Sequence, residues 1–209
     1  MRITLIHGIA TTGRVWRRVL PLLTAGHEIV IAERPASGTL NTEIAYLSPL
    51  CEGAVVVGVS GGATLGLELA SRGVNMRGAV LHEPAAGTLA PGLLDHVTTG
   101  LRTAGIAGLG TALYGASWTP AETNANLQTI TREFAMFGAF EPRSLGSATD
   151  RIIVTVGSLS PAARHKSVEV LHRAFGVRTT VLAGAGHAAH LQAPHAVADA
   201  VNALLDSLL

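Results

Sequence analysis

Six short apolar runs, rich in Val, Ile and Leu, recur along this 209-residue chain at residues 3–6, 28–32, 54–57, 78–81, 152–156 and 179–182. Runs this short that do not alternate with polar residues suit strands buried on both faces, as in parallel sheets. Between them lie segments with helical spacing. Val15, Trp16, Val19, Leu20 and Leu23 make one apolar face, and Ile44, Ala45, Leu47 and Leu50 a less regular one. Ser160-Pro161 reads as an N-cap with proline in the first turn of a helix that stops at Gly176. Val197, Val201, Leu204, Leu205 and Leu208 share a stripe on a last helix. Strand and helix in alternation predict an α/β fold, a doubly wound, mostly parallel six-stranded sheet with helices on both faces.

One interval breaks the alternation. No strand pattern appears between residues 85 and 149. Thr119-Pro120-Ala121-Glu122 has the form of a capping box and predicts a helix running toward Phe137. The Gly- and Ala-rich half, residues 91–114, predicts one or two helices. The expected organisation is a core of residues 1–84 and 150–209 with a helical cap, or lid, over 85–149.

Composition narrows the partners. A hydrophobic content of 48% supports one sizeable core. A net charge of +1 gives no electrostatic footprint for nucleic acid. The lone cysteine, Cys51, has no partner for an internal disulfide. No apolar run approaches the roughly 18 residues of a membrane span. The chain opens on a strand pattern, with no signal-peptide features. A cytoplasmic protein acting on a small molecule is the expectation.

Gly58-Val59-Ser60-Gly61-Gly62 follows the run 54–57 and precedes a helix-like stretch. A serine on so sharp a strand-to-helix turn needs small residues two positions either side. The turn lifts the hydroxyl clear of the sheet and aims the Gly61 N–H at the same spot. His7-Gly8 ends the first run and Gly186-His187 follows the last. In a parallel sheet all three sit beyond carboxyl strand ends, where ligands bind. Ser60 is therefore the candidate nucleophile and His187 its candidate base.

These motifs, with Trp16 beyond the His-Gly turn, resemble the α/β-hydrolase-fold superfamily of serine esterases, lipases and thioesterases. The likeness runs over essentially the whole chain, in a compact version without the family's two leading strands. It implies an oxyanion hole made by the N–H groups of Ile9 and Gly61. It also implies that His187, not His190, is the base, which leaves His190 to packing or pocket lining. His7 is expected to fix its own loop. The acid that the family places after the fifth strand here is missing, because Gly157-Ser158-Leu159-Ser160-Pro161 holds no carboxylate. Some members of the fold carry the acid after the strand that follows the nucleophile, and Glu83 stands there. Asp95, Asp150, Asp199 and Asp206 are poorly placed. A turn role for Glu83, and a Ser-His dyad without an acid, stay open.

The reading that follows is a cofactor-independent serine hydrolase of an ester, thioester or lactone, with an acyl-enzyme on Ser60. The alternatives are cyclisation, lyase or acyl-transfer chemistry on the same fold, or a non-catalytic binding protein. Trp118, Phe134 and Phe137, with His190, are candidate linings for an apolar acyl or ring pocket. No metal-ligand spacing and no dinucleotide fingerprint is present. An unperturbed histidine base predicts an acid limb of activity with a pKa of roughly 6 to 7.5.

Overall fold

A computed structural model describes residues 1–209. Six parallel strands, β1 (Arg2–Ile6), β2 (Glu28–Ala32), β3 (Val55–Val59), β4 (Gly78–His82), β5 (Ile152–Gly157) and β6 (Arg178–Leu182), form one sheet in the order β2-β1-β3-β4-β5-β6. The three strands β3, β4 and β5 are buried throughout, as their unbroken apolar runs require. The edges are wetter: in β6 only Leu182 is buried, and Arg178, Thr179 and Thr180 face solvent.

Strand order reverses between β1 and β3. The connection from β1 leads outward to β2, and every later connection leads the other way. Right-handed crossovers then place α1 (Leu40–Cys51), α2 (Gly61–Ser71) and α5 (Ala162–Phe175) on one face. The turns after β1 and the last helix, α7 (Pro194–Asp206), take the other face. The reversal opens a crevice at the carboxyl ends of β1 and β3.

Local structure departs from the sequence pattern in three places. The apolar face from Val15 to Leu23 is built from 3-10 turns, Gly13–Arg18 and Leu20–Leu22, not from an α-helix. Pro21 near the start of the second turn deprives it of a backbone donor. The helix expected from Thr119 is only a 3-10 turn, Pro120–Glu122, followed by α4 (Leu127–Gly138). Glu122 is committed elsewhere: its carboxylate pairs with Arg17 at 2.8 and 3.1 Å, so it cannot close the capping box. Asn126 caps α4 instead, accepting from the Thr129 N–H at 2.9 Å. The third case is Ser160, whose hydroxyl caps no helix and is engaged at the candidate site.

Between β4 and β5 the chain is helical, as the sequence predicts. α3 (Asp95–Tyr114) is two helices joined at a kink, where Ala104 and Gly105 leave helical geometry. α4 follows. No helix is long and apolar enough to cross a membrane.

The turn between β3 and α2 shows why its glycines are there. A Cβ on Gly58 would lie 2.5 Å from the Gly62 carbonyl oxygen, and one on Gly62 would overlap the Ile6 carbonyl. Gly62→Ala is therefore expected to cost at least about 2–3 kcal/mol in chemical denaturation, since backbone cannot yield as a side chain can. Gly73→Ala, at φ +80° with nothing within 4 Å, is expected to cost only about 1–2 kcal/mol. Similar losses at both sites would contradict the close approach.

Candidate active site

Ser60 sits at φ 57°, ψ −121°, a conformation that a side chain makes costly. Two backbone hydrogen bonds hold it there: its N–H donates to the His82 carbonyl and its carbonyl accepts from Thr64, each at 2.9 Å. Only three other non-glycine residues have positive φ, and two of them flank the same crevice: Ala10 at 54° and Glu83 at 48°.

Glu83 is fully buried at the end of β4. Its Oε2 accepts from His187 Nδ1 at 2.8 Å. Its Oε1 accepts from the Gly157 N–H at 3.0 Å and from the Ser160 hydroxyl. The segment after β5 thus lacks a carboxylate of its own and supplies donors to one that comes from β4. Burial alone would raise the Glu83 pKa. The hydrogen bond and charge of His187, with His82 and Arg164 nearby, outweigh it and hold the carboxyl well below the usual range.

His187 lies in the loop between β6 and α6 (Ala189–Gln192). That loop presses against the end of β5, where a Cβ on Gly157 would overlap the Ala185 carbonyl. His82 pins it from below. Its Nε2 lies 3.1 Å from the Gly186 carbonyl and its Nδ1 2.9 Å from the Thr155 hydroxyl. Donation from Nε2 and acceptance at Nδ1 satisfy both contacts in a neutral ring. With Nδ1 of His187 tied to Glu83, its Nε2 is buried without a protein partner. Burial, then the positive charge of Arg164, pushes the His187 pKa down to about 4, against the pull of Glu83.

The loop after β1 is held just as firmly. Gly8 carbonyl accepts from the Thr11 hydroxyl at 2.9 Å, and His7 Nδ1 lies within 3.3 Å of that hydroxyl. Arg34, wholly buried, donates to the His7 and Gly8 carbonyls at 3.1 and 3.0 Å. It also pairs with Glu43 at 3.1 Å and with Glu133 of α4 at 2.8 Å. The helical insertion adds two bolts: Tyr114 donates to the Ile9 carbonyl at 2.7 Å, and Trp118 Nε1 to the Ala10 carbonyl at 2.8 Å. The Tyr114 ring also stacks on His187, with centroids 6.0 Å apart. Ile9 N–H is left without a protein acceptor, and Gly61, first residue of α2, has none inside its helix.

A cavity of about 20 Å³ joins Ser60, Ile9, Gly61 and Glu83. Phe134 and Phe137 of the insertion border it. Trp118 and His190 do not. The Trp118 ring is packed on Gly110, and its one donor is spent on Ala10. His190 is buried against Trp16, with ring centroids 5.5 Å apart. No three His, Cys, Asp or Glu side chains are grouped to hold a metal ion. Arg34, His82, Tyr114 and Arg164 escaped the sequence reading. None belongs to a motif: His82 directly precedes Glu83 on β4, and the other three reach the site from other segments of the chain.

Residues 5–200 match the sequence model of the alpha/beta hydrolase family. The chain belongs to that family. No curated protein sequence matches it. Solved structures with the same fold include a lipase-esterase related protein from Clostridium acetobutylicum (TM-score 0.77, 10% identity, 97% of this chain and 93% of that one covered). Carboxylesterase CesB from Bacillus subtilis has a TM-score of 0.69 and 15% identity, with 99% and 84% covered. MenH from S. aureus has a TM-score of 0.70 and 11% identity, with 100% and 94% covered. At these identities the likeness is one of fold.

Burial sets the acid stability of this hydrolase-family chain. His7 and His190 are pushed down to about 3, His187 to about 4, and His82 is lowered too. A buried histidine with a depressed pKa stays neutral in the fold but takes a proton when unfolded below pH 6.5. The unfolded state then binds more protons, so stability falls as pH drops from 6.5 toward these values. Glu83 acts with the same sign, its contribution being lost as pH falls through 4.5 and below. Melting is expected on the order of 10 °C lower at pH 5 than at pH 7.5. An equal Tm at both values would mean that these rings are charged in the fold.

Proposed function

We propose that this protein is a cofactor-independent serine hydrolase of a carboxylic ester, thioester or lactone, with Ser60, His187 and Glu83 as its triad. The observation that carries the reading is the 2.8 Å contact from His187 Nδ1 to a buried, ionised Glu83. It fixes the tautomer that leaves Nε2 free to accept a proton. Ser60 Oγ attacks the carbonyl carbon as His187 Nε2 takes its proton. The N–H groups of Ile9 and Gly61 receive the oxyanion. His187 then protonates the leaving group, and a water activated by the same nitrogen releases the acid.

A second reading keeps the site and changes the net reaction to cyclisation, lyase or acyl-transfer chemistry. Labelling of Ser60 by a fluorophosphonate without turnover of short nitrophenyl esters would select this reading.

Ser60→Ala is expected to abolish fluorophosphonate labelling and to lower kcat by on the order of 10⁶. Glu83→Gln is expected to cost roughly 10²–10⁴ in kcat while the fold persists by circular dichroism. Near-normal kcat in Glu83→Gln would leave a dyad. With the His187 pKa at about 4, activity should hold at pH 6 and fall only below about pH 5. An acid limb at pH 6.5 or above would mean that burial does not govern this imidazole.

The insertion acts as a cap in this reading, and its aromatic residues divide by role. Phe137 borders the cavity and its ring lies against Gly61, so Phe137→Ala should change relative kcat/KM among acyl chain lengths. Trp118 holds the Ala10 carbonyl, so Trp118→Ala should lower every substrate alike. The reverse pattern in steady-state kinetics would exchange the two roles.

A further inference from the structure

Arg164 is the one buried cation in the site whose side chain makes no hydrogen bond to the protein. It lies in the first turn of α5, and its side chain is 5% exposed. Arg34 shows what satisfaction of such a group takes in this protein: two carboxylates and two backbone carbonyls within 3.1 Å. Arg164 has nothing comparable. Its sole ionic contact is Glu83 Oε2 at 3.6 Å, beyond hydrogen-bonding distance. That carboxylate is already occupied by His187, Gly157 and Ser160. The Arg164 side chain donates to no protein acceptor, although a guanidinium carries five N–H groups. Burying an underpaired charge is expensive, so such a group is a standing attraction for an anion.

Its position says where the anion would go. Arg164 borders the Ser60 cavity. On its other side it borders a second cavity of about 370 Å³ that also reaches His187 and Ser160. Leu113 is the other wall common to both cavities. The second cavity has no carboxylate in its lining, and its remaining titratable group is His96. In this second cavity no acidic side chain competes for Arg164.

We propose that Arg164 is a substrate-recognition residue that takes a carboxylate carried a few atoms from the reacting carbonyl, so that the preferred acyl group is the half-ester or half-thioester of a short dicarboxylic acid. A guanidinium matches a carboxylate with two parallel hydrogen bonds. The negative Glu83 nearby favours a monoanion over a phosphate dianion, because like charges at this range repel. Burial already disfavours the Arg164 charge and lowers its pKa, and a bound carboxylate would relieve that. The proposal rests on the hydrolase reading of Ser60, so its test reads binding, not turnover.

The probes are monomethyl glutarate and dimethyl glutarate, titrated calorimetrically against the full-length Ser60→Ala protein. The monoanion is expected to bind at least about 10-fold more tightly, the gain of a charge-assisted hydrogen bond. Arg164→Met in the same background should erase that preference. A dimethyl ester that binds as well, no detectable binding of the monoester, or a preference that survives Arg164→Met would each overturn the proposal. If Arg164→Met does not fold, the comparison of the two esters on Ser60→Ala alone decides it. A wild-type protein that shows the preference yet neither hydrolyses esters nor takes a fluorophosphonate would sink the hydrolase reading and leave the carboxylate site standing.

Discussion

A single buried carboxylate organises the business end of this fold. Glu83 leaves β4 at a strained φ of 48° and is shielded from bulk solvent. An ionised carboxylate is tolerated there only if other groups replace its hydration. The replacements come from every quarter: the Gly157 N–H at the end of β5, the Ser160 hydroxyl before α5, and His187 from the loop after β6. One charge therefore draws two other chain segments, the turn after β5 and the loop after β6, to the end of β4. Removing a partner of such a group typically costs about 3–5 kcal/mol, so the arrangement is stiff.

The other half of the crevice depends on a second buried charge. Arg34 ties the carbonyls of His7 and Gly8, and through Glu133 it reaches the helical insertion. Tyr114 and Trp118 then fasten the next two carbonyls, those of Ile9 and Ala10. Four successive carbonyls after β1 are thus held by side chains. The Ile9 loop is fixed by this clamping, as the backbone around donors must be if they are to stabilise developing charge without reorganising. The same bonds couple the insertion to the loop, so that a rearrangement of the insertion would be felt at the candidate oxyanion site.

Much of this was legible in the sequence. The six apolar runs correspond to the six strands, and the nucleophile-like turn lies where Gly58 and Gly62 allow strand and helix to approach. These features are local: they depend on side-chain size, hydrophobic period and backbone freedom over a few residues. The two expected caps that fail share one cause. Glu122 and Ser160 look like capping residues, but each is recruited by a tertiary partner, Arg17 for one and Glu83 for the other. Trp118 and His190 were apolar or aromatic enough to suit a pocket, yet packing and a distant carbonyl claimed them.

The sequence by itself determined the parallel sheet, the sharp turn at Ser60 and the loops that bring His7, Ser60 and His187 to one edge. It did so because strand patterning and glycine freedom act over short range. Tertiary structure alone decided which acid meets His187, which carbonyls hold the Ile9 loop, and that Arg164 is buried without an acceptor. Those outcomes depend on pairings between residues up to about 100 positions apart, such as Glu83 with His187 and Ile9 with Tyr114. The energy that selects them is the cost of burying a charge or polar group unpaired, and that cost exists only once the chain has folded around it.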